Sequence, residues 1–346
     1  MREGAGRAAY RPKSSAHSAL KIVSPLDPSA APKPVRTRAV TPLPAGPFPV
    51  PLSTIDWLVS KERPAARYVA LRDLLAPTLK SADVRKARQT LDRDPFVRDT
   101  LPVLKRKLAP SSVNELERSY DGALWLAHFL VDHGADASQP ELKRAADIFF
   151  ARYERTFVEL SRHASLDAVL PHFFTACRLL ARLGHGGDPR VLVAAEWLAE
   201  RCGTHEGAAA VKDLLFFAAL PEAKRSGEVR RAIAFQVERV VAELPQDRLL
   251  SAAGSFGFPN GEESDLLEAL DALAAVGTPY RDELATPLAL LAGKADHRAR
   301  WKLDHLPAGE RIPSGLERDG ELSRWVTIRA LRVLQRFVNL TVVTTK

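Results

Sequence analysis

From Ile55 onward, apolar residues recur at helical spacing. Tyr68, Leu71, Leu74 and Leu75 share one face, with Arg67, Arg72 and Asp73 between them, which is the rhythm of an amphipathic helix. Pro64 stands just ahead, in a first turn that has no use for the N–H that proline lacks. Asp94-Pro95, Gln139-Pro140 and Asp188-Pro189 each set a cap-type residue before a proline at the first helical position. Glycines close apolar runs at Gly134, Gly184, Gly203 and Gly277. The one β-branched run, Thr341-Val342-Val343, is too short to predict a strand of consequence.

The breaks recur. Trp125–Val131 stops at Gly134, and a second helix is predicted near Pro140 with Leu142, Ala145, Ile148 and Phe149. Phe173–Leu183 stops at Gly184, and Asp188-Pro189 opens a helix with Val191, Ala194, Ala195 and Leu198. Leu214–Leu220 stops at Pro221 before Ser226 starts Val229, Ile233 and Val240; Leu266–Val276 stops at Gly277 before Pro279 starts another. Hairpins repeated every 40–55 residues or so are the pattern of an α-helical repeat protein, whose units bury their apolar faces only by stacking. The predicted fold class is all-α.

Composition separates a tail from this body. Residues 1–51 hold ten of the 25 prolines and eight basic residues against two acids, so most of the formal charge of +8 sits there. The expected organisation is a disordered, Pro-rich basic extension over 1–53 and a helical repeat domain over 54–340. With the body near neutral, nucleic acid is not the expected partner; the tail could dock on a partner or an anionic surface. An Arg-rich, acid-poor N-terminus also fits an organelle transit peptide, although a cytoplasmic location is the main expectation. No apolar run approaches the roughly 20 residues of a membrane span. Cys177 and Cys202, 25 positions apart, are too few and too distant for a redox pair or a disulfide scaffold, and are expected as small buried residues.

Several phrases carry a resemblance. They are Ala66-Arg67-Tyr68-Val69-Ala70-Leu71-Arg72-Asp73-Leu74-Leu75, Val211-Lys212-Asp213-Leu214-Leu215, Phe256-Gly257-Phe258-Pro259 leading to Ser264-Asp265-Leu266-Leu267-Glu268, Arg300-Trp301-Lys302-Leu303, and Ser323-Arg324-Trp325-Val326-Thr327-Ile328-Arg329. Their order and spacing over roughly 54–338 resemble bacterial proteins with a terpenoid-cyclase or prenyltransferase-like α/α toroid. The resemblance implies a closed or nearly closed double layer of helices around a cavity. It implies little chemistry, since many such proteins have no assigned activity. The Gly-Gly-Trp-like turn of the family is replaced here by Arg201-Cys202-Gly203-Thr204-His205-Glu206-Gly207.

The chemistry of cyclases is missing from the sequence. No two aspartates are consecutive, so neither DxDD nor DDxxD occurs. His172 near Cys177, and His205 near Cys202, match no zinc motif, and no metal or cofactor is expected. Phosphate-loop, dinucleotide, HExxH and GxSxG signatures are absent. Gly184-His185-Gly186-Gly187 before Asp188 could offer N–H groups to an anion, or be a plain turn. Asp265 and Asp304 are the only acids that suggest themselves for catalysis. Phe256, Phe258 and Glu262, from an aromatic loop beside acids, and Arg300, Trp301, Trp325 and Arg329, cations beside tryptophans, are the ligand or cavity candidates. In the last helix Trp325, Ile328, Leu331, Leu334 and Phe337 form an apolar row, with Arg329, Arg332 and Arg336 on another face. The reading is a non-catalytic binding or scaffold toroid, with a protein or a small apolar ligand as partner. The alternatives are an enzyme on an isoprenoid or lipid-like substrate, and an open solenoid that binds protein or nucleic acid.

Overall fold

The computed structural model describes residues 46–75, 81–109, 116–118, 120–162, 172–244, 255–306 and 317–344, all within one unit spanning Val40–Lys346. Fourteen helices dominate the described residues. Those of the first half are α1 (Leu52–Leu58), α2 (Pro64–Asp73), α3 (Ser81–Arg88), α4 (Pro95–Lys107), α5 (Ala123–Asp132), α6 (Pro140–Arg152) and α7 (Glu154–Ser161). Those of the second half are α8 (Phe173–Leu180), α9 (Pro189–Arg201), α10 (Ala208–Ala219), α11 (Gly227–Glu243), α12 (Leu266–Ala275), α13 (Ala285–Gly293) and α14 (Arg324–Phe337).

Starts and stops follow local chemistry. Pro64, Pro95, Pro140 and Pro189 each open a helix. Asp94 and Asp188 accept hydrogen bonds from Phe96 N–H at 3.1 Å and Arg190 N–H at 2.9 Å, which satisfies donors that the first turn leaves open. Ser226 and Ser323 cap α11 and α14 likewise, whereas the Gln139 side chain makes no cap bond. Gly134, Gly184 and Gly277 take positive φ after their helices, as a helix stop of this kind requires. Gly203 instead lies in a short turn, Cys202–Thr204, and Pro279 opens no α-helix: a single tight turn at Asp282–Leu284 intervenes before α13.

Composition sorts the helices into two layers. α5 (ALWLAHFLVD) is buried from Ala123 to Val131, and α12 (LLEALDALAA) from Leu266 to Leu273, so each must be covered on every side. The covered helices pack in series, α5 on α8, α8 on α10, α10 on α12, α12 on α14, and α14 on α2. Their outer faces are clad by amphipathic helices, α4 on α5, α6 on α8, and α9 and α11 around α10, while the apolar α13 packs on α14.

Two segments depart from the sequence reading. Leu340–Val343, which contains the run judged too short to matter, forms strand β4 and pairs in parallel with β1, Phe48–Pro51. β1 buries Val50 and Phe48, and α1 begins at Leu52, so the folded body starts ahead of the expected boundary at residue 54. Prolines 49 and 51 suit β1 because an edge strand can leave N–H positions empty. A second small pair, β2 (Trp301–Lys302) with β3 (Leu322–Ser323), is antiparallel. The eight basic residues of the extension, and the rest of 1–45, lie outside the described residues.

Candidate functional site

α2, α5, α8, α10, α12 and α14, the covered helices, surround a cavity of about 880 Å³. Many lining side chains fall in last turns: Arg72 and Asp73 of α2, Val131 and Asp132 of α5, Ala218 and Ala219 of α10, Ala274 and Ala275 of α12. Alanines there leave the volume open. Helix C-termini carry partial negative charge, which favours cations nearby. Arg336 answers it directly, donating to the carbonyls of Gly277 at 2.7 Å and Thr278 at 3.2 Å.

The lining is strongly charged. Thirteen of its 23 side chains are charged or amide-bearing, among them six arginines and four carboxylates. Each carboxylate has a cation of its own. Asp73 pairs with Arg72 at 2.5 Å, Asp132 with Arg182 at 2.7 Å, and Glu268 with Lys212 at 2.6 Å. Asp271 pairs with Arg332, whose Nη2 reaches the two carboxylate oxygens at 2.6 and 2.5 Å and whose Nε donates at 3.0 Å. Burial alone would raise the Asp271 carboxyl, but Arg332 and Arg329 outweigh it and hold it below the usual carboxylate range.

Arg178 is left over. It is 8% exposed, it lines the cavity, its Nε has no acceptor, and among the described residues no carboxylate pairs with it. Burial lowers its pKa, while Glu268 and Asp132 pull the other way and Arg182 and Arg329 add repulsion. Arg329 is nearly as unengaged: it donates to Asn260 Oδ1 and reaches Asp271, already held by Arg332, only at 3.5 Å. An uncompensated buried charge costs several kcal/mol, so evolution retains one only where something offsets it.

An aromatic block closes one wall. Phe258 and Trp325 stack at 4.9 Å, with their planes 9° apart, and His133 packs on both, at 5.2 and 4.5 Å. Phe96 stacks on His133 at 4.0 Å, and His133 Nδ1–H donates to Phe129 O, 2.7 Å away. Burial pushes the His133 imidazole below its ordinary pKa.

The residues singled out in the sequence part company here. Phe258, Trp325 and Arg329 line the cavity. Phe256 is fully buried core, and Trp301 is too, donating Nε1–H to Leu291 O at 2.8 Å. Arg300 stacks on Trp57 and bonds Thr54 and Ser53, while Glu262 is exposed. Asp265 is the N-cap of α12, accepting from Glu268 N–H at 2.7 Å and Gly257 N–H at 2.8 Å. Asp304 accepts from Phe256 N–H and pairs with Lys294 at 2.5 Å. Neither aspartate faces the cavity, so their work is to hold the 256–261 loop. The Gly184–Gly187 turn ends at a helix whose start is already served by the Asp188 carboxylate.

Cys177 and Cys202 are buried, and burial raises both thiols, the first well above its ordinary pKa, so neither is a thiolate nucleophile. Near Cys202, His205 bonds Asp213 at 2.8 Å, which Gln236 also reaches at 2.9 Å. Among the described residues no group of three or more His, Cys, Asp or Glu side chains is arranged to hold a metal ion, and no helix is long and apolar enough to cross a membrane. Arg178 went unnoticed in the sequence, although a lone arginine in the apolar helix FFTACRLL was a visible signal. No family model matches the chain, and no curated protein or solved structure aligns with it, so the cavity is read from its own residues.

Proposed function

We propose that the protein is a non-catalytic binding protein, built as an α/α ring of stacked helical hairpins, whose central cavity takes a small anionic ligand. The observation that carries this is Arg178, a buried cation with no directly paired carboxylate among the described residues, on the wall of a cavity of about 880 Å³. Volumes of roughly 300–1,000 Å³ are typical of small-molecule sites. The ring reading is supported by the serial packing that brings α14 onto α2, by the β1–β4 pair, and by the resemblance to α/α toroids. An open solenoid would leave its terminal helices unpartnered.

The ligand is polar and not a greasy isoprenoid, because an apolar body would desolvate several guanidinium groups without bonding them. Acid-initiated catalysis has little support, since every lining carboxylate is ion-paired. Native mass spectrometry of the full chain purified from its own host tests the reading. A retained anionic small molecule, lost in Arg178→Gln, is expected. A ligand-free mass, together with a melting temperature that no anion shifts, would sink it.

A further inference from the structure

We propose that the ligand is a phosphate ester of a small hydroxyl-bearing molecule, its phosphate seated between Arg178 and Arg329. The proposal rests on the anion-binding reading above and adds the chemical class. Four lines of observation carry it.

The first is charge. Once each lining carboxylate is assigned one cation, Arg178, Arg329 and Arg336 remain in excess. Arg336 is turned onto backbone carbonyls, and Arg178 with Arg329, which shares the Asp271 already neutralised by Arg332, keeps about two positive charges at the cavity. They lie within electrostatic reach of each other, and Lys212 is near both. A carboxylate or sulfate ester brings one negative charge, whereas a phosphate monoester brings about −1.5 to −2 at neutral pH. The second is geometry: a planar guanidinium fork suits the oxygens of a phosphate, and two such forks, one from α8 and one from α14, stand in the lining of the same cavity.

The third concerns the body of the ligand. Asn260, Gln335 and Asn339 stand in the lining beside the paired carboxylates, a mixture of donors and acceptors suited to hydroxyl groups. The fourth removes nucleotides from the class. Among the described residues Phe258 and Trp325 are the only lining aromatics, and they stack on each other with His133 packed against both, so they form no open pair between which a base could insert.

Isothermal titration of the full chain tests this with five probes: glucose 6-phosphate, the smaller ester glycerol 3-phosphate, glucose 6-sulfate, octyl phosphate and inorganic phosphate. At least one of the two hydroxyl-bearing phosphates is expected to bind about tenfold or more tightly than glucose 6-sulfate and than inorganic phosphate, because it alone supplies both the second charge and the hydroxyls. Arg178→Gln and Arg329→Gln are each expected to weaken it about tenfold or more, and Arg231→Gln, on an exposed surface pair, to leave it unchanged. Should Arg178→Gln fail to fold, Arg178→Lys keeps the charge but loses the fork; the phosphate-to-sulfate ratio needs no variant at all. Equal binding of the sulfate ester overturns the phosphate assignment and leaves the anion site standing. Tighter binding of octyl phosphate overturns the hydroxyl-bearing body. Silence from every probe overturns both this proposal and the anion-binding reading.

Discussion

Arg178 and Asp271 face the same cavity, and substituting them is expected to have opposite effects. Asp271 is buried and held by two guanidinium groups; Asp271→Asn strips Arg332 of its main partner and leaves a charge without compensation. Breaking a buried pair from one side typically costs about 3–5 kcal/mol. Arg178 has no such partner to strand. Arg178→Met is therefore expected to leave the ligand-free protein as stable as before, or to raise stability by up to about 2 kcal/mol, the usual gain when a site of function is relieved of its burden. Urea midpoints at pH 7.5 read both. A loss of more than about 1 kcal/mol in Arg178→Met would show the arginine to be a structural group and remove the chief argument for a ligand.

Two histidines set the acid limit. His128 donates to Thr175 O at 2.8 Å through Nε2–H, its Nδ1 is buried without a hydrogen-bond partner among the described residues, and burial pushes it well below its ordinary pKa. His133 is lowered for the same reason. Both pKa values lie below that of the unfolded chain, near 6.5, so the unfolded state binds more protons as pH drops. Their stabilising effect is complete above about pH 6.5 and is lost progressively as pH falls toward the folded values. The expected slope between pH 6 and 5 has its larger share from His128, which is lowered further, with His133 adding in the same direction, and His128→Phe should reduce it by up to about one proton. A flat profile over that window in the parent protein would contradict the burial argument.

Among the elements, the caps differ in how much they hold. Asp188 serves one helix start. Asp94 serves two: Oδ1 accepts from Phe96 N–H in α4, and Oδ2 accepts from Ala65 N–H at 3.2 Å in α2, in a buried setting. Replacing a cap by alanine costs about 1 kcal/mol, so Asp188→Ala should show that loss and Asp94→Ala roughly twice it or more, by thermal or urea unfolding. Equal losses would mean that the Ala65 contact contributes nothing. The same residues explain what was legible in the sequence. Asp94-Pro95 and Asp188-Pro189 announce helices because capping is decided within three residues. Pro279 misled because a proline in a loop looks the same. The arginine row of α14 was visible as a face, but its direction was not, and that row turns toward the cavity instead of toward water because α2 and α12 supply Asp73 and Asp271 to receive it. Arg329 and Trp325 could be named from sequence; Arg178 could not be weighed, since only the fold reveals that among the described residues no carboxylate pairs with it.

At the scale of the molecule, the least legible feature joins the two ends of the described chain. β1 and β4 are four residues each and almost 300 positions apart, so no local signal could pair them. Their pairing covers Val50, which is completely buried, and Phe48, which also packs on Trp301 with ring centroids 6.0 Å apart. β1 leads directly into α1, and Arg324 of α14 bonds Trp57 O and stacks on the Trp57 ring, so the strand pair and α14 hold the same end of the chain. Deleting residues 340–346 removes β4 and exposes part of Phe48 and Val50, each worth about 1.5–3 kcal/mol when fully buried. A global loss of about 2–4 kcal/mol is expected in urea unfolding. Hydrogen exchange should localise it: amides of Leu52–Asp73, which include the cavity wall at Val69 and Arg72, should lose more protection than those of α9–α11, whose partners are untouched. Because α2 supplies that wall, the truncated protein should also bind the cavity ligand more weakly although no lining residue up to Asn339 has been changed. Uniform loss of protection across all helices would mean that the strand pair supports the whole array, and unchanged protection in α1 and α2 would mean that α14 alone holds the ends together.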